Sequence, residues 1–97
     1  MLDHSTHTAI ADELHQAGED RTPVPLLTAR YPDMGIEDSY AVQGIWAQRQ
    51  IDAGRKKAGH KIGLTSKAMQ DATGIDEPDY GVIFDDMVME SGHVFEW

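Results

Sequence analysis

The longest periodic segment of the sequence, Ile36 to about Ala53, limits how the chain can fold. Its spacing predicts a helix that is entered through Gly35, carries Glu37 and Asp38 in its first turn, where negative charge suits the helix dipole, and closes at Gly54. Two apolar stripes lie on different faces of this helix: Ile36, Tyr40, Ala47 and Ile51 on one, and Val42, Trp46 and Ala53 on the other. Because packing against a single core needs one stripe, something else must cover the second.

A shorter amphipathic helix is predicted before it, over Thr6 to Glu19, with hydroxyl residues at its start as candidate N-caps. The stretch from Arg21 to Pro25 ends this helix, since proline lacks the amide proton and restricts the residue before it to extended conformations. Residues 26–34 are predicted to form a connecting loop.

The second half of the chain is predicted to be more extended. Residues 57–65 are typical of a short strand, and Ser66 then caps a brief helix over 67–73 that Gly74 ends. Further short strands are predicted within 80–95, where residues 88–95 have the pattern of a hairpin. The chain is therefore predicted to have an α+β fold with its helices concentrated in the first half.

Length and charge narrow the class of protein. A chain of 97 residues without cysteine has a small core and no disulfides to support it, and it suits a reducing compartment such as the cytoplasm. Its 17 acidic and 8 basic residues give a net charge of −9, which argues against nucleic-acid or membrane partners. The basic run at 55–57 is predicted to be a solvated surface loop. We expect residues 1–97 to be a single N-terminal segment of a larger protein, because a strand pattern stops at Trp97.

Lys61 is the first candidate for chemistry, because a lysine between Gly59 and Gly63 on an otherwise apolar strand is hard to explain by packing. An ammonium in that position could hold a substrate carboxylate or a developing enolate, with the backbone amides of Leu64 and Thr65 as further donors. The alternative is that the lysine reaches along the strand to solvent. The spacing of this block matches neither a phosphate-binding loop nor a dinucleotide fingerprint.

Asp79 is the second candidate, since it lies in the constrained segment Glu77 to Gly81. Its carboxylate could act as an acid, a base or a partner of Lys61, although acidic residues in turns more often cap their own backbone. The five histidines lack the spacing of a metal site, and no loop of alternating oxygen ligands is present. No metal ligand is assigned to this chain.

Taken in order, several blocks of the sequence resemble the hydratase/decarboxylase family of aromatic meta-cleavage pathways. The resemblance runs along essentially the whole chain, and its most specific block is Gly-His-Lys-Ile-Gly-Leu-Thr-Ser-Lys-Ala-Met-Gln at 59–70. The other blocks are Thr6 to Ala11, Tyr31-Pro32, Ile36 to Gln43, Glu77 to Gly81 and Asp85 to Met87.

The resemblance implies a fold similar to fumarylacetoacetate hydrolase, in which a small, mostly helical N-terminal part leads into a larger β-rich domain that this chain lacks. A divalent cation, usually magnesium, would be bound by glutamates beyond the chain, and it would chelate the 1-carboxylate and 2-oxo group of the substrate. Lys61 matches the family's active-site lysine, and Asp79 matches a carboxylate of the same site. Leu64, Thr65 and Ser66 would approach the substrate carboxylate.

The activity implied is that of a hydratase that adds water to a 2-oxo-alkenedioate during degradation of homoprotocatechuate-type compounds. The partners implied are a small dicarboxylate substrate and other copies of the chain in a homo-oligomer. Two alternatives are a 2-oxo-3-enedioate decarboxylase of the same family and a non-catalytic short module that associates with a full-length homologue. The isolated 97-residue chain is expected to be inactive, since the family's metal ligands are not in it.

Overall fold

The computed structural model describes residues 1–96. The chain forms two compact units, and the boundary between them in the sequence lies between Ala53 and Gly54. The first unit holds helices α1 (His4–Asp20), α2 (Leu27–Arg30) and α3 (Ile36–Asp52). The second holds strand β1 (Lys57–Gly63), helix α4 (Lys67–Thr73), strand β2 (Asp79–Phe84) and a 3-10 turn (Asp85–Met87). The predicted α+β class is confirmed.

The core of the first unit lies between α1 and α3, where Ile10, Ala11 and Val42 are buried. Trp46 packs partly buried against the same cluster. The stripe of α3 that contains Val42 and Trp46 therefore packs against α1. On the other stripe, Ile36 and Ile51 remain exposed.

The first helix begins earlier than predicted. Its N-cap is Asp3, whose carboxylate accepts a hydrogen bond from the Thr6 amide at 2.9 Å, rather than a hydroxyl residue. The predicted loop at 26–34 contains the single helical turn α2, which is too short to show a helical period. The third helix has the predicted start, and Gly54 follows its end with a φ of +105°, which favours glycine.

A buried carboxylate connects the two long helices. Asp38, which is 2% exposed, accepts hydrogen bonds from the His7 ring nitrogen Nε2 at 2.8 Å, the Leu2 amide at 2.8 Å and the Gly35 amide at 2.9 Å. The Gly35 amide, then the His7 ring, hold the pKa of Asp38 at about 2, below its usual 3.8. The sequence indicated Asp38 as a first-turn charge, and its burial comes from the packing of α1 against it.

This depressed pKa predicts how stability changes in acid. The folded-state pKa of Asp38 lies below the unfolded value, so its stabilisation is present above about pH 3.8 and is lost as the pH falls through about 2. Asp38→Asn should lower the urea midpoint at neutral pH. As the pH falls from about 3.8 to about 2, the urea midpoint of the variant should change less than that of the wild type. Far-ultraviolet circular dichroism during urea titrations at several pH values measures both effects. Parallel pH curves for the two proteins would contradict the prediction.

The second unit is built on an antiparallel pair of strands. Lys57 of β1 pairs with Phe84 of β2 and Gly63 pairs with Asp79, with an irregularity between Lys57 and Gly59. β1 ends two residues before the predicted position, because Leu64 adopts a left-handed backbone conformation.

One prediction for this unit is wrong and another holds only in part. Residues 88–95 form no hairpin, because the 3-10 turn that follows β2 is succeeded by irregular chain that pairs with no strand among residues 1–96. Of the basic run at 55–57, Lys56 and Lys57 are exposed as predicted, whereas Arg55 is half-buried. The Arg55 guanidinium lies 4.2 Å from the centre of the Phe84 ring and donates to the Asp86 carboxylate at 2.7 and 2.8 Å. Phe84 is fully buried, so Arg55 acts as part of its cover.

Candidate functional site

One face of the two-stranded ribbon combines small residues with two charged side chains. Residues two apart on a strand share a face, and directly paired residues on neighbouring strands do so too. By this register Lys61, paired with Gly81, lies on the same face as Asp79, paired with Gly63. We call this surface the glycine face and define it by Gly59, Lys61, Gly63, Asp79 and Gly81; Ile83, which pairs with Gly59, continues the same face.

Lys61 and Asp79 are diagonal neighbours on the glycine face. Such positions are about 7–8 Å apart, which is within the reach of a long side chain. The two do not form an ion pair in the described structure, where the Lys61 ammonium donates to the carbonyl oxygen of Ile62. Both side chains are exposed. The alternative that Lys61 reaches solvent agrees with this exposure, which also leaves its ammonium accessible to an anion.

The carboxylate of Asp79 lies directly over Gly63. A Cβ atom added to Gly63 would stand 2.5 Å from Asp79 Oδ1, which is closer than real Cβ contacts allow. Glycine at position 63 is therefore required for the observed place of this carboxylate. At Gly59, on the same face, an added Cβ would meet no atom within 4 Å.

The segment that follows β1 has an unusual backbone. Leu64 has a φ of +52°, a left-handed conformation that costs a residue with a side chain about 1 kcal/mol or more. Its carbonyl oxygen accepts a hydrogen bond from Gln70 Nε2 at 2.8 Å. Ser66 uses its hydroxyl oxygen to cap α4, accepting from the Met69 amide at 3.2 Å. The hydroxyl proton of Ser66 is still able to donate to a ligand.

The side chains that the structure describes do not by themselves form the metal site that the resemblance implies. No group of three or more His, Asp or Glu side chains that could hold a metal ion occurs in residues 1–96. One carboxylate of the acidic pair at 85–86, Asp86, is engaged by Arg55. The residues that the structure describes therefore do not form a complete metal-binding set.

The structure brings the two predicted catalytic residues, Lys61 and Asp79, to one face and places the predicted substrate-binding residues, Leu64, Thr65 and Ser66, immediately beyond the end of β1. Sequence reasoning missed the contact of Gly63 with Asp79 and the bond from Gln70 to Leu64. Glycine repetition at 59, 63 and 81 was a signal for an open face, whereas nothing in the sequence indicated Gln70.

No helix among residues 1–96 has the length and apolar character needed to cross a membrane.

Comparison with known proteins identifies relatives along almost the whole chain, although no protein-family model matches it. The chain is 50% identical over 92 residues to 2-oxo-hept-4-ene-1,7-dioate hydratase of Escherichia coli. This match covers 95% of the chain and 34% of the relative. It is 48% identical over 77 residues to 2-keto-4-pentenoate hydratase of Paraburkholderia xenovorans, covering 79% of the chain and 29% of the relative.

A solved structure matches as well. The 4-oxalocrotonate decarboxylase of Pseudomonas putida G7, complexed with magnesium and adipate, superimposes with a TM-score of 0.82 and 30% identity over 89% of the chain and 33% of its own length. The chain thus spans about a third of the length of the proteins it matches. The predicted resemblance is confirmed: over the segment that it shares with these relatives, the chain is similar to two hydratases of unsaturated 2-oxo acids and to a decarboxylase.

Proposed function

We propose that the protein containing this chain is a divalent-cation-dependent hydratase that adds water to a 2-oxo-alkenedioate, and that residues 1–97 are its N-terminal segment. The observation that carries the proposal is the exposed Lys61 ammonium on the glycine face beside Asp79. The 50% identity to a hydratase of an unsaturated 2-oxo dicarboxylate supports the substrate class. The adipate bound to a solved relative supports a small dicarboxylate ligand.

Lys61, Asp79 and the segment from Leu64 to Ser66 each have a task in the proposed hydration. In a 4-ene substrate, a proton is first removed from C3 and one is added at C5, which moves the double bond into conjugation with the 2-oxo group. Hydration then breaks the C3=C4 π bond and one O–H bond of water, as the water oxygen bonds to C4 and a proton is added at C3. Negative charge develops on the 2-oxo group during this proton movement, and the Lys61 ammonium stabilises it. Asp79 is the candidate to take or give the proton. The amides at Leu64 and Thr65 and the Ser66 hydroxyl bind a substrate carboxylate.

Magnesium is bound by one of the solved relatives, and when present it would polarise the 2-oxo group as a Lewis acid. Because residues 1–96 contain no suitable group of ligands, we propose that other parts of the protein hold it.

A decarboxylase is the second candidate function, because the solved relative is a decarboxylase. The higher identity to hydratases favours hydration. Both reactions start from an unsaturated 2-oxo acid, so the products decide between them.

The proposed function is tested with the full-length protein, 2-oxo-hept-4-ene-1,7-dioate and magnesium. Mass spectrometry should detect a product heavier than the substrate by one water, without release of carbon dioxide. Carbon dioxide at the rate of substrate loss would favour the decarboxylase instead. The isolated chain, which spans a third of the relatives' length, should show no turnover. If the full-length protein is also inactive, the non-catalytic module is the better explanation.

A further inference from the structure

Gln70 connects helix α4 to the left-handed turn at Leu64. Its side-chain Nε2 donates a hydrogen bond at 2.8 Å to the carbonyl oxygen of Leu64, which lies six residues earlier in the chain. Gln70 is half-buried. The position of Gln70 is itself fixed, because its backbone amide donates to the Ser66 carbonyl oxygen at 3.0 Å and its carbonyl oxygen accepts from the Gly74 amide at 2.9 Å. Gln70 is therefore a firm anchor for the turn.

This anchor sets the direction of the next backbone amide. The Leu64 carbonyl and the Thr65 N–H belong to one planar trans peptide group, in which they point in opposite directions. When Gln70 holds the carbonyl oxygen, the Thr65 N–H must point away from the Gln70 side chain. A peptide in this place without that bond could rotate, because a left-handed leucine is not the lowest-energy conformation.

We propose that Gln70 is a positioning residue for substrate binding: by holding the Leu64 carbonyl it aims the Thr65 amide at a carboxylate of the substrate. The proposal rests on the proposed function, because it requires a carboxylate ligand beyond the end of β1. Gln70 makes no contact with the substrate and acts through the peptide that it orients. Preorganised donors bind an anion more tightly because the backbone is not reorganised on binding.

The test uses the full-length protein with two substitutions that remove the donor. Gln70→Met keeps the length of the side chain, and Gln70→Glu keeps its shape and replaces the donor with an acceptor. Gln48→Met is the matched control, since Gln48 also lies on a helix and donates at 2.9 Å, to Asp52 Oδ1. The quantities measured are KM and kcat for the 2-oxo-alkenedioate, Kd for adipate by calorimetry, and the melting temperature.

Both Gln70 variants should raise KM and the adipate Kd by about tenfold, the scale of one hydrogen bond to a charged group, with kcat changed by about twofold or less. Gln48→Met should match the wild type. An unchanged adipate Kd in either folded Gln70 variant overturns the proposal, and so does a loss confined to kcat or to the melting temperature. A wild-type protein that neither turns over the substrate nor binds adipate would contradict the proposed function, and with it the role proposed for Gln70.

Discussion

Lys61→Ala in the full-length protein should lower kcat by about a hundredfold to a thousandfold, the scale observed when a preorganised donor to a developing oxyanion is removed. The side chain is exposed on the glycine face, and its ammonium is bonded to a neighbouring backbone carbonyl rather than to a carboxylate. Among residues 1–96, its removal breaks no ion pair and leaves no buried partner unsatisfied. The melting temperature should therefore change little.

Two further variants show whether the position and shape of the charge matter. Lys61→Arg should not restore the rate, because a planar guanidinium does not reproduce a compact ammonium. Lys57→Ala is the matched control: Lys57 is an exposed lysine of the same strand, paired with Phe84 on the opposite face of the ribbon. Steady-state kinetics and thermal melts measure these effects. A wild-type rate in Lys61→Ala, or a collapse of its melting temperature, would assign Lys61 a structural role.

The sequence was most informative where local chemistry decides the outcome. Helix α3 has the predicted start and ends one residue before the predicted position, because a long apolar period and a following glycine are both local signals. Ser66 and Gly74 bound α4 as predicted, through a side-chain cap and a left-handed C-cap. The hairpin predicted over 88–95 was wrong because a strand pattern needs a partner strand, and partner strands are not visible in a local window.

In the candidate site too, local features could be predicted from the sequence and features that depend on tertiary pairing could not. Lys61 stood out in the sequence because its charge conflicts with its glycine and apolar neighbours. Its placement on the same face as Asp79 depends on the register of β1 against β2, which includes the irregularity next to Gly59. A shift of one residue would reverse the faces of one strand, so this juxtaposition could not be predicted from composition or spacing. The bond from Gln70 likewise depends on how α4 folds back towards Leu64.

That register supports a second prediction with a large expected effect, which concerns Gly63. Gly63→Ala should lower kcat/KM by about tenfold to a hundredfold, because the new Cβ would force the Asp79 carboxylate to move and a displacement of about 1 Å can cost that much in rate. The fold should tolerate the change. The opposing atom ends a side chain that can rotate, and φ at Gly63 is not in the region that favours glycine.

A double-mutant cycle separates this mechanism from simple obstruction of the glycine face. If Gly63→Ala acts by displacing the Asp79 carboxylate, it should have little further effect once Asp79→Ala has removed that group, so the double variant should resemble Asp79→Ala alone. Obstruction of the substrate would instead persist in the Asp79→Ala background, and the two losses would multiply. Kinetics of the four proteins, with melting temperatures to confirm folding, distinguishes these results. A multiplicative loss would show that Gly63 provides room for a ligand and that the position of Asp79 is not what the glycine protects.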